Sequence, residues 1–306
     1  MSYQKIDVKD EKIIKNLFKK INLPKKKSHK GQNGRVLVIG GSSLFHAASL
    51  WAAETCSHFA DLVHYSSTKE NNQIALTLKK KFLNGIVIPQ SKILEYVKED
   101  DVILIGVGMV RDKKPNFKKN ITFKEILKIK NEGHFAYFLT YYLLSNFPQK
   151  KFVIDAGALQ MMEKEWFQLL KNEVIITPHQ TEFTTLFNIE IRDKNQEEKM
   201  KIISQTAKKY HTTIILKAID DFVSDGEKNA VIIGGNQGLT KGGTGDVLAA
   251  LASSFLIKNP SFFASIYTSV LLKKTAEDLF KSSGYWYNVN EIINQIPKTL
   301  KELVFS

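Results

Sequence analysis

The chain has one cysteine, Cys56, among its 306 residues. That excludes an intramolecular disulfide framework and fits a reducing, cytoplasmic compartment. No apolar stretch reaches the roughly 18 residues that a membrane span requires; the richest candidate, Phe135 to Phe147, is too short. The N-terminus carries charges throughout and lacks the apolar core of a secretory signal. Arginine is scarce, at three residues among 44 lysines and arginines. The formal net charge of +13 could suit a nucleic acid, but the basic segment Lys19 to Lys30 has no interleaved aromatics on which bases could stack. Lys118, Lys119, Lys124, Lys128 and Lys130 are spread as on a solvated helical surface. Neither nucleic acid nor membrane is therefore an expected partner, whereas anionic small molecules are. Repeats, low-complexity tracts and linkers are also missing, so one domain over residues 1–306 is expected.

What the chain does have is alternation. Arg35 to Gly41 is a short β-branched apolar run ending in glycines, the pattern of a buried parallel strand. Further strands are predicted at Leu62 to Tyr65, Ile86 to Ile88, Val102 to Gly106, Phe152 to Asp155, Val174 to Thr177 and Thr213 to Lys217. Helical spacing is found at residues 9 to 20, Ala47 to Phe59, Ser91 to Lys98, Ala158 to Leu170 and Gln196 to Tyr210. This order predicts an α/β fold with a mostly parallel sheet. Phe222 to Ser224 and Ala230 to Gly234 flank Asp225-Gly226, a hairpin signal that adds an antiparallel edge.

Ligands in such sheets sit beyond the carboxyl ends of the strands. Here those ends carry Gly40-Gly41-Ser42, Gly106-Val107-Gly108, Asp155, Thr177-Pro178-His179 with Glu182, and Lys217 with Asp221. The densest signal is Gly234 to Ile257, where Lys241-Gly242-Gly243-Thr244-Gly245-Asp246 runs directly into an apolar helical pattern. Glycines let successive N–H groups converge, and the helix adds the positive end of its macrodipole, a setting for phosphate. Asp246 would repel that phosphate, so two roles are open to it. It is either an ordinary acid at a helix start or a base that takes a proton from a substrate hydroxyl beside the phosphate. The loop lacks the Lys-Ser or Lys-Thr of a Walker A motif, and it does not follow the first strand as a dinucleotide fingerprint should.

Four segments together, His29 to Ser42 (HKGQNGRVLVIGGS), Ile154 to Leu159 (IDAGAL), Thr177 to Glu182 (TPHQTE) and Gly235 to Leu248 (GNQGLTKGGTGDVL), resemble the NAD(P)H-hydrate dehydratases, relatives of the ribokinases. The resemblance runs from about Lys30 onward. It implies a ribokinase-like three-layer α/β/α sandwich without an epimerase domain. It also implies a reaction in which hydrated NADH or NADPH is dehydrated back to the working cofactor, with ADP or ATP consumed and Mg2+ present. Carried over by motif, Gly242, Gly243, Thr244 and Gly245 form the nucleotide-phosphate site, and Lys217 and Asp221 bound the segment lining that nucleotide. Ala47, Gly108 and His179 face the hydrated nicotinamide nucleotide, with Asp155 and Asn236 on the substrate side. Asp246 is the acid that activates the substrate hydroxyl.

Plainer roles stand beside these. His179 could close a turn, Asp155 could cap a helix, and Lys217 could reach to solvent along its stem. His46 and His58 read as helix residues without a role, and Cys56 as packing. The family's Gly-Pro-Gly-x-Gly turn is Gly106-Val107-Gly108-Met109-Val110 here, without its proline and last glycine, which leaves close backbone approach there for the structure to decide. A small-molecule kinase of the same superfamily, acting on a vitamin or sugar hydroxyl, is the alternative reading, and a non-catalytic nucleotide binder a third. A homo-oligomer is the expected assembly.

Overall fold

The computed structural model describes residues 2–79 and 84–305. In chain order the elements are β1 (Gln4–Asp7), α1 (Glu11–Phe18), β2 (Arg35–Ile39), α2 (Ala47–Ser57), β3 (Leu62–Ser66), α3 (Lys69–Leu78), β4 (Ile86–Val87), α4 (Ile93–Glu99), β5 (Val102–Ile105), α5 (Phe123–Ile126), α6 (Glu132–Asn146), β6 (Lys151–Ile154) and α7 (Ala156–Met161). Then follow β7 (Val174–Ile176), α8 (Gln180–Phe187), α9 (Gln196–Tyr210), β8 (Thr213–Leu216), β9 (Asp221–Ser224), β10 (Asn229–Ile233), α10 (Thr244–Leu256), α11 (Ser261–Ser283) and α12 (Val289–Phe305). Short 3-10 turns sit at Gln90–Lys92, Lys164–Leu169 and Gln237–Thr240.

The ten described strands form one sheet in the order β1-β10-β9-β8-β7-β6-β5-β2-β3-β4. The pairings make β9 antiparallel to β8 and to β10, and every other pair is parallel. The antiparallel hairpin thus stands at one side of the sheet as expected. A strand without a sequence signal, β1, pairs parallel with β10 outside it.

Helices cover both faces because the parallel strands are apolar on both. Val36, Val38, Leu104 and Val153 face α1, α2, α10, α11 and α12, while Leu37, Ile39, Ile103, Ile105 and Ile154 face α4, α6, α7, α8 and α9. The apolar run Phe135 to Phe147 forms most of α6, whose Ala136, Leu139, Leu143 and Leu144 are buried in the second layer. Among the described residues no helix is long and apolar enough to cross a membrane. The predicted helix at Gln196 to Tyr210 is α9 with the same bounds, started by a capping box between Asn195 and Glu198.

One helix departs from expectation. Ala158 to Leu170 does not form a single helix: α7 begins earlier, at Ala156, and ends at Met161, after which Met162 is extended and Lys164–Leu169 makes a separate 3-10 turn. The break lets two neighbouring rings both be buried. Trp166 packs against Tyr137 and Tyr141, and Phe167 against Phe187 and Tyr210, a pair of directions that adjacent residues on one continuous helix do not share.

Candidate active site

The carboxyl ends of β5 and β6 are locked together by backbone contact. Gly106 adopts φ +116° and Met109 N–H donates to its carbonyl at 2.9 Å, closing the turn. A Cβ at Gly106 would overlap the carbonyl oxygen of Asp155, and a Cβ at Gly157 that of Met109. The turn therefore keeps its close approach without the family's proline and final glycine.

Next along the rim, Lys217 N–H donates to Pro178 O at 2.8 Å, and a parallel bridge pairs Lys217 with His179. This sets three carboxylates around one ammonium. Lys217 Nζ donates to Asp155 Oδ1 at 2.8 Å and lies 4.0 Å from Glu182 Oε2. Thr177 Oγ1 donates to the same Asp155 oxygen at 2.7 Å. Burial alone would lower the Lys217 pKa, but Asp155, Glu182 and, further off, Asp246 hold it above the ordinary lysine value. Glu182 also makes a capping box with His179, accepting His179 N–H at 2.8 Å while its own N–H donates to His179 Nδ1 at 3.2 Å. With Nδ1 an acceptor, the ring proton of a neutral His179 resides on Nε2.

The glycine loop contains glycines of two kinds. Gly243 is the N-cap of α10 at φ +102°, and a Cβ there would press on Trp51 and Val289; it is required by the fold. A Cβ at Gly242 would meet nothing within 4 Å, and one at Gly245 would meet only Lys217 Nζ at 3.4 Å. Those two positions are bare toward open space. No side chain caps α10, and Asp246 is its third residue, not the N-cap. The capping alternative for Asp246 therefore reduces to compensation of the helix dipole. Burial first and the Asp155 charge second raise the Asp246 pKa to about 7 against the opposing pull of Lys217. A carboxylate that titrates near neutrality at a cavity wall is suited to general base work.

Two adjoining cavities meet at this residue. The wider, about 980 Å³, is lined by Ala47, Gly108, His179 and Asp246 among others. The second, about 430 Å³, is lined by Asp155, His179, Lys217, Asp221 and Gly242 to Asp246. Of the twelve residues expected at the site, eleven line one or both. Asn236 lines neither. Its carboxamide accepts from Tyr287 Oη at 2.7 Å and from Gly238 N–H at 3.0 Å, and donates to Ala276 O at 2.8 Å, which anchors the loop from beneath. Asp221 faces the second cavity but is itself buried, accepting from Ala218 N–H at 3.2 Å and from Ser269 Oγ, with Lys273 Nζ at 3.7 Å.

A family model for NAD(P)H-hydrate dehydratase matches residues 36–298. The chain belongs to the NAD(P)H-hydrate dehydratase family. It is 31% identical over 237 residues to the ADP-dependent (S)-NAD(P)H-hydrate dehydratase of Nitrosopumilus maritimus, covering 77% of each chain. It is 30% identical over 281 residues to the bifunctional NAD(P)H-hydrate repair enzyme of Methanocaldococcus jannaschii, covering 90% of this chain and 49% of that one. The chain thus spans about half the length of such bifunctional relatives. The ADP/ATP-dependent NAD(P)H-hydrate dehydratase of Bacillus subtilis, co-crystallized with ATP/Mg2+, superposes with a TM-score of 0.75 at 19% identity, covering 96% of this chain and 97% of that one. That likeness establishes the fold, the expected ribokinase-like sandwich.

Within this dehydratase-family fold, several lining residues had no role in the sequence reading. Trp51, one turn beyond Ala47 on α2, packs on Gly243 and walls the wider cavity. Its spacing of four from Ala47 was the available signal. His46, read as an ordinary helix residue, lines the same cavity and shares a hydrogen bond with Asn71 Oδ1 through Nδ1. Glu182, named with His179 in the sequence, lines neither cavity and acts through its contacts with His179 and Lys217. Lys273, buried on α11, reaches this site only through tertiary packing and left no sequence signal.

Proposed function

We propose that this chain catalyses the nucleotide-dependent dehydration of hydrated NADH or NADPH back to the reduced cofactor. The observation that carries the reading is that a nucleotide-sized cavity with a glycine anion loop and a wider cavity meet at Asp246, whose carboxylate titrates near neutrality. Asp246 takes the proton of the substrate hydroxyl as that oxygen attacks the terminal phosphoryl group, breaking its bridging P–O bond and releasing the nucleotide shortened by one phosphate. The N–H groups around Gly242 to Gly245 and the start of α10 stabilise the charge on the transferring group by position and electrostatics. Lys217, held by Asp155, adds a cation at the same rim. The ring nitrogen's lone pair then expels phosphate, and loss of the proton from the adjacent carbon restores the 1,4-dihydropyridine.

Among the described residues no group of three or more His, Cys, Asp or Glu side chains could hold a metal. The donor set fits magnesium carried by the nucleotide's phosphates and steadied by the Asp155 carboxylate, which lines the nucleotide-side cavity. Bound there, it would neutralise phosphate charge. The reading includes one domain over residues 1–306, a cytoplasmic location and a homo-oligomeric assembly, the last tested by sedimentation.

The test of the reaction is to mix purified protein with NADH hydrate, magnesium and either ADP or ATP, following dihydronicotinamide absorbance. Recovery is expected with at least one nucleotide. A stable phosphate ester without recovery would instead identify a kinase that stops at phosphorylation.

A further inference from the structure

A third cavity, about 200 Å³, opens at the carboxyl ends of β2, β3 and β5. Met109 and Val110 line both it and the wider cavity, so the two spaces lie on either side of one turn. One wall of this slot is apolar, with Ile129 and Phe135 beside Met109. The other is polar and holds a buried group without a partner: Ser66 is fully buried and its hydroxyl makes no hydrogen bond. Strand alternation turns Ser66 to the same face as His64, which packs on Tyr96 of α4, and the slot lies on that face. Two carboxylates, Glu70 and Glu132, line the slot against one ammonium, Lys69, and Glu132 already accepts Ser43 N–H at 2.8 Å and Ser43 Oγ at 2.9 Å.

The sheet order β8-β7-β6-β5-β2-β3 sets the three cavities in a row along the carboxyl rim. The nucleotide-side cavity lies over β8 to β6, the wider one over β6, β5 and α2, and the slot over β5, β2 and β3. With the reacting ring at Asp246 and the phosphoryl donor filling the first cavity, the remainder of a dinucleotide extends the other way. From β6 to β3 is three strand spacings, roughly 14 Å.

We infer that the slot receives the adenosine end of the dinucleotide substrate and selects the form without a 2′-phosphate. This rests on the reaction proposed above. A planar heterocycle suits Phe135 and the Met109 thioether on one side and offers polar edge atoms to Ser66 on the other. Ribose hydroxyls donate to Glu70, whereas a phosphate in their place would meet the negative charge of Glu70 and Glu132. A carboxylate on the 2′-hydroxyl is the same device by which dinucleotide-binding folds choose NAD.

The test uses Ile129→Trp, which fills the slot from its half-buried rim, and Glu70→Lys, an exposed position where folding is not at risk. Turnover is measured with NADH hydrate, NADPH hydrate and the hydrate of reduced nicotinamide mononucleotide. Wild type should use NADH hydrate at least ten-fold better than either of the others by kcat/KM. Ile129→Trp should bring NADH hydrate down to the mononucleotide level and leave the mononucleotide unchanged, and Glu70→Lys should raise NADPH hydrate turnover several-fold. Equal losses on the dinucleotide and mononucleotide, normal turnover of NADH hydrate by a folded Ile129→Trp variant, or a wild-type preference for NADPH hydrate overturns the inference. Calorimetry with unreacted NADH and reduced nicotinamide mononucleotide separates the two readings. If neither hydrate turns over but NADH binds more tightly than the mononucleotide, and Ile129→Trp abolishes the difference, the reaction fails and the slot stands. If the two bind alike, the slot fails whatever the reaction.

Discussion

Lys217 Nζ lies 2.8 Å from Asp155 Oδ1, and this pair, with Asp155 buried and Lys217 half-buried, sets the charge that Asp246 feels. Asp155 raises the Asp246 pKa and Lys217 lowers it, so the two neighbours can be removed separately and their effects read with opposite sign.

Asp155→Asn keeps the shape and the Thr177 contact but deletes the like charge. The acid limb of the kcat/KM profile, where Asp246 gains its proton, should move to lower pH by up to about one unit. Lys217→Met should move it to higher pH, and by leaving Asp155 buried without a counter-charge should destabilise the fold by about 3 to 5 kcal/mol. The position of the limb is the readout, since the rate itself falls if these residues also touch phosphate. A limb that stays put in both variants would show that the pair does not tune Asp246.

At Gly245 the fold and the ligand make opposite demands. The residue is in the first turn of α10, and an added methyl meets only Lys217 Nζ. Alanine should therefore stabilise the free protein by roughly 0.5 to 1 kcal/mol, the usual gain for replacing a helical glycine. The same methyl occupies the space where phosphate is proposed to sit, so the rise in Tm that ADP or ATP gives wild type by mass action should shrink or vanish. Gly245→Ala with an undiminished nucleotide shift would place the phosphate elsewhere.

Asn236 tests whether family position implies ligand contact in this chain. Its three hydrogen bonds join the loop to Tyr287 and to α11, and Tyr287 is fully buried. Asn236→Ala should cost about 1 to 3 kcal/mol through the groups left unpaired, seen as a lower denaturation midpoint. KM for the hydrate should stay within about two-fold at temperatures where the variant is folded, a change of less than ~0.5 kcal/mol. A KM that rises ten-fold with stability intact would return Asn236 to the substrate.

What the sequence disclosed and what it withheld divide along the range of the interactions. The buried strands were legible because a parallel strand covered on both faces is a run of β-branched residues, as in Arg35–Ile39 and Thr213–Leu216. The glycine loop was legible because its chemistry is local. β1 was not, since Gln4–Asp7 buries only Ile6 and pairs with a strand more than 200 residues away. The break at Met162 was hidden because it answers to rings on α6, α8 and α9. Within the site, Lys273 was hidden for the same reason: its ammonium donates to Ile219 O at 2.6 Å and Gly234 O at 3.2 Å, joining two loops that sequence distance keeps apart.

Asp246→Asn separates catalysis from structure most sharply. Because the folded pKa of about 7 lies above the ordinary aspartate value of 3.8, folding disfavours the charged form. The stability tied to this group is fully present below the lower value and is lost as pH rises through the upper one. Asparagine carries no such charge, so its advantage over aspartate should open between about pH 4 and pH 7 and stay level above. Loss of a favourable acid in the first helical turn costs about 0.3 to 1 kcal/mol. After that offset and some solvent screening at this half-buried site, a net gain on the order of 1 kcal/mol is expected at pH 8. Nucleotide affinity should hold or tighten, because a negative charge beside phosphate has gone. Turnover should fall a hundredfold or more, about 2.7 kcal/mol of transition-state stabilisation, as expected for a general base that is lost. Denaturation midpoints at pH 5 and pH 8, nucleotide titration and hydrate turnover measure the three effects on one variant. Turnover near the wild-type rate would leave Asp246 only its place at the start of α10, and a stability gap that does not widen with pH would mean that its carboxylate is charged at neutral pH.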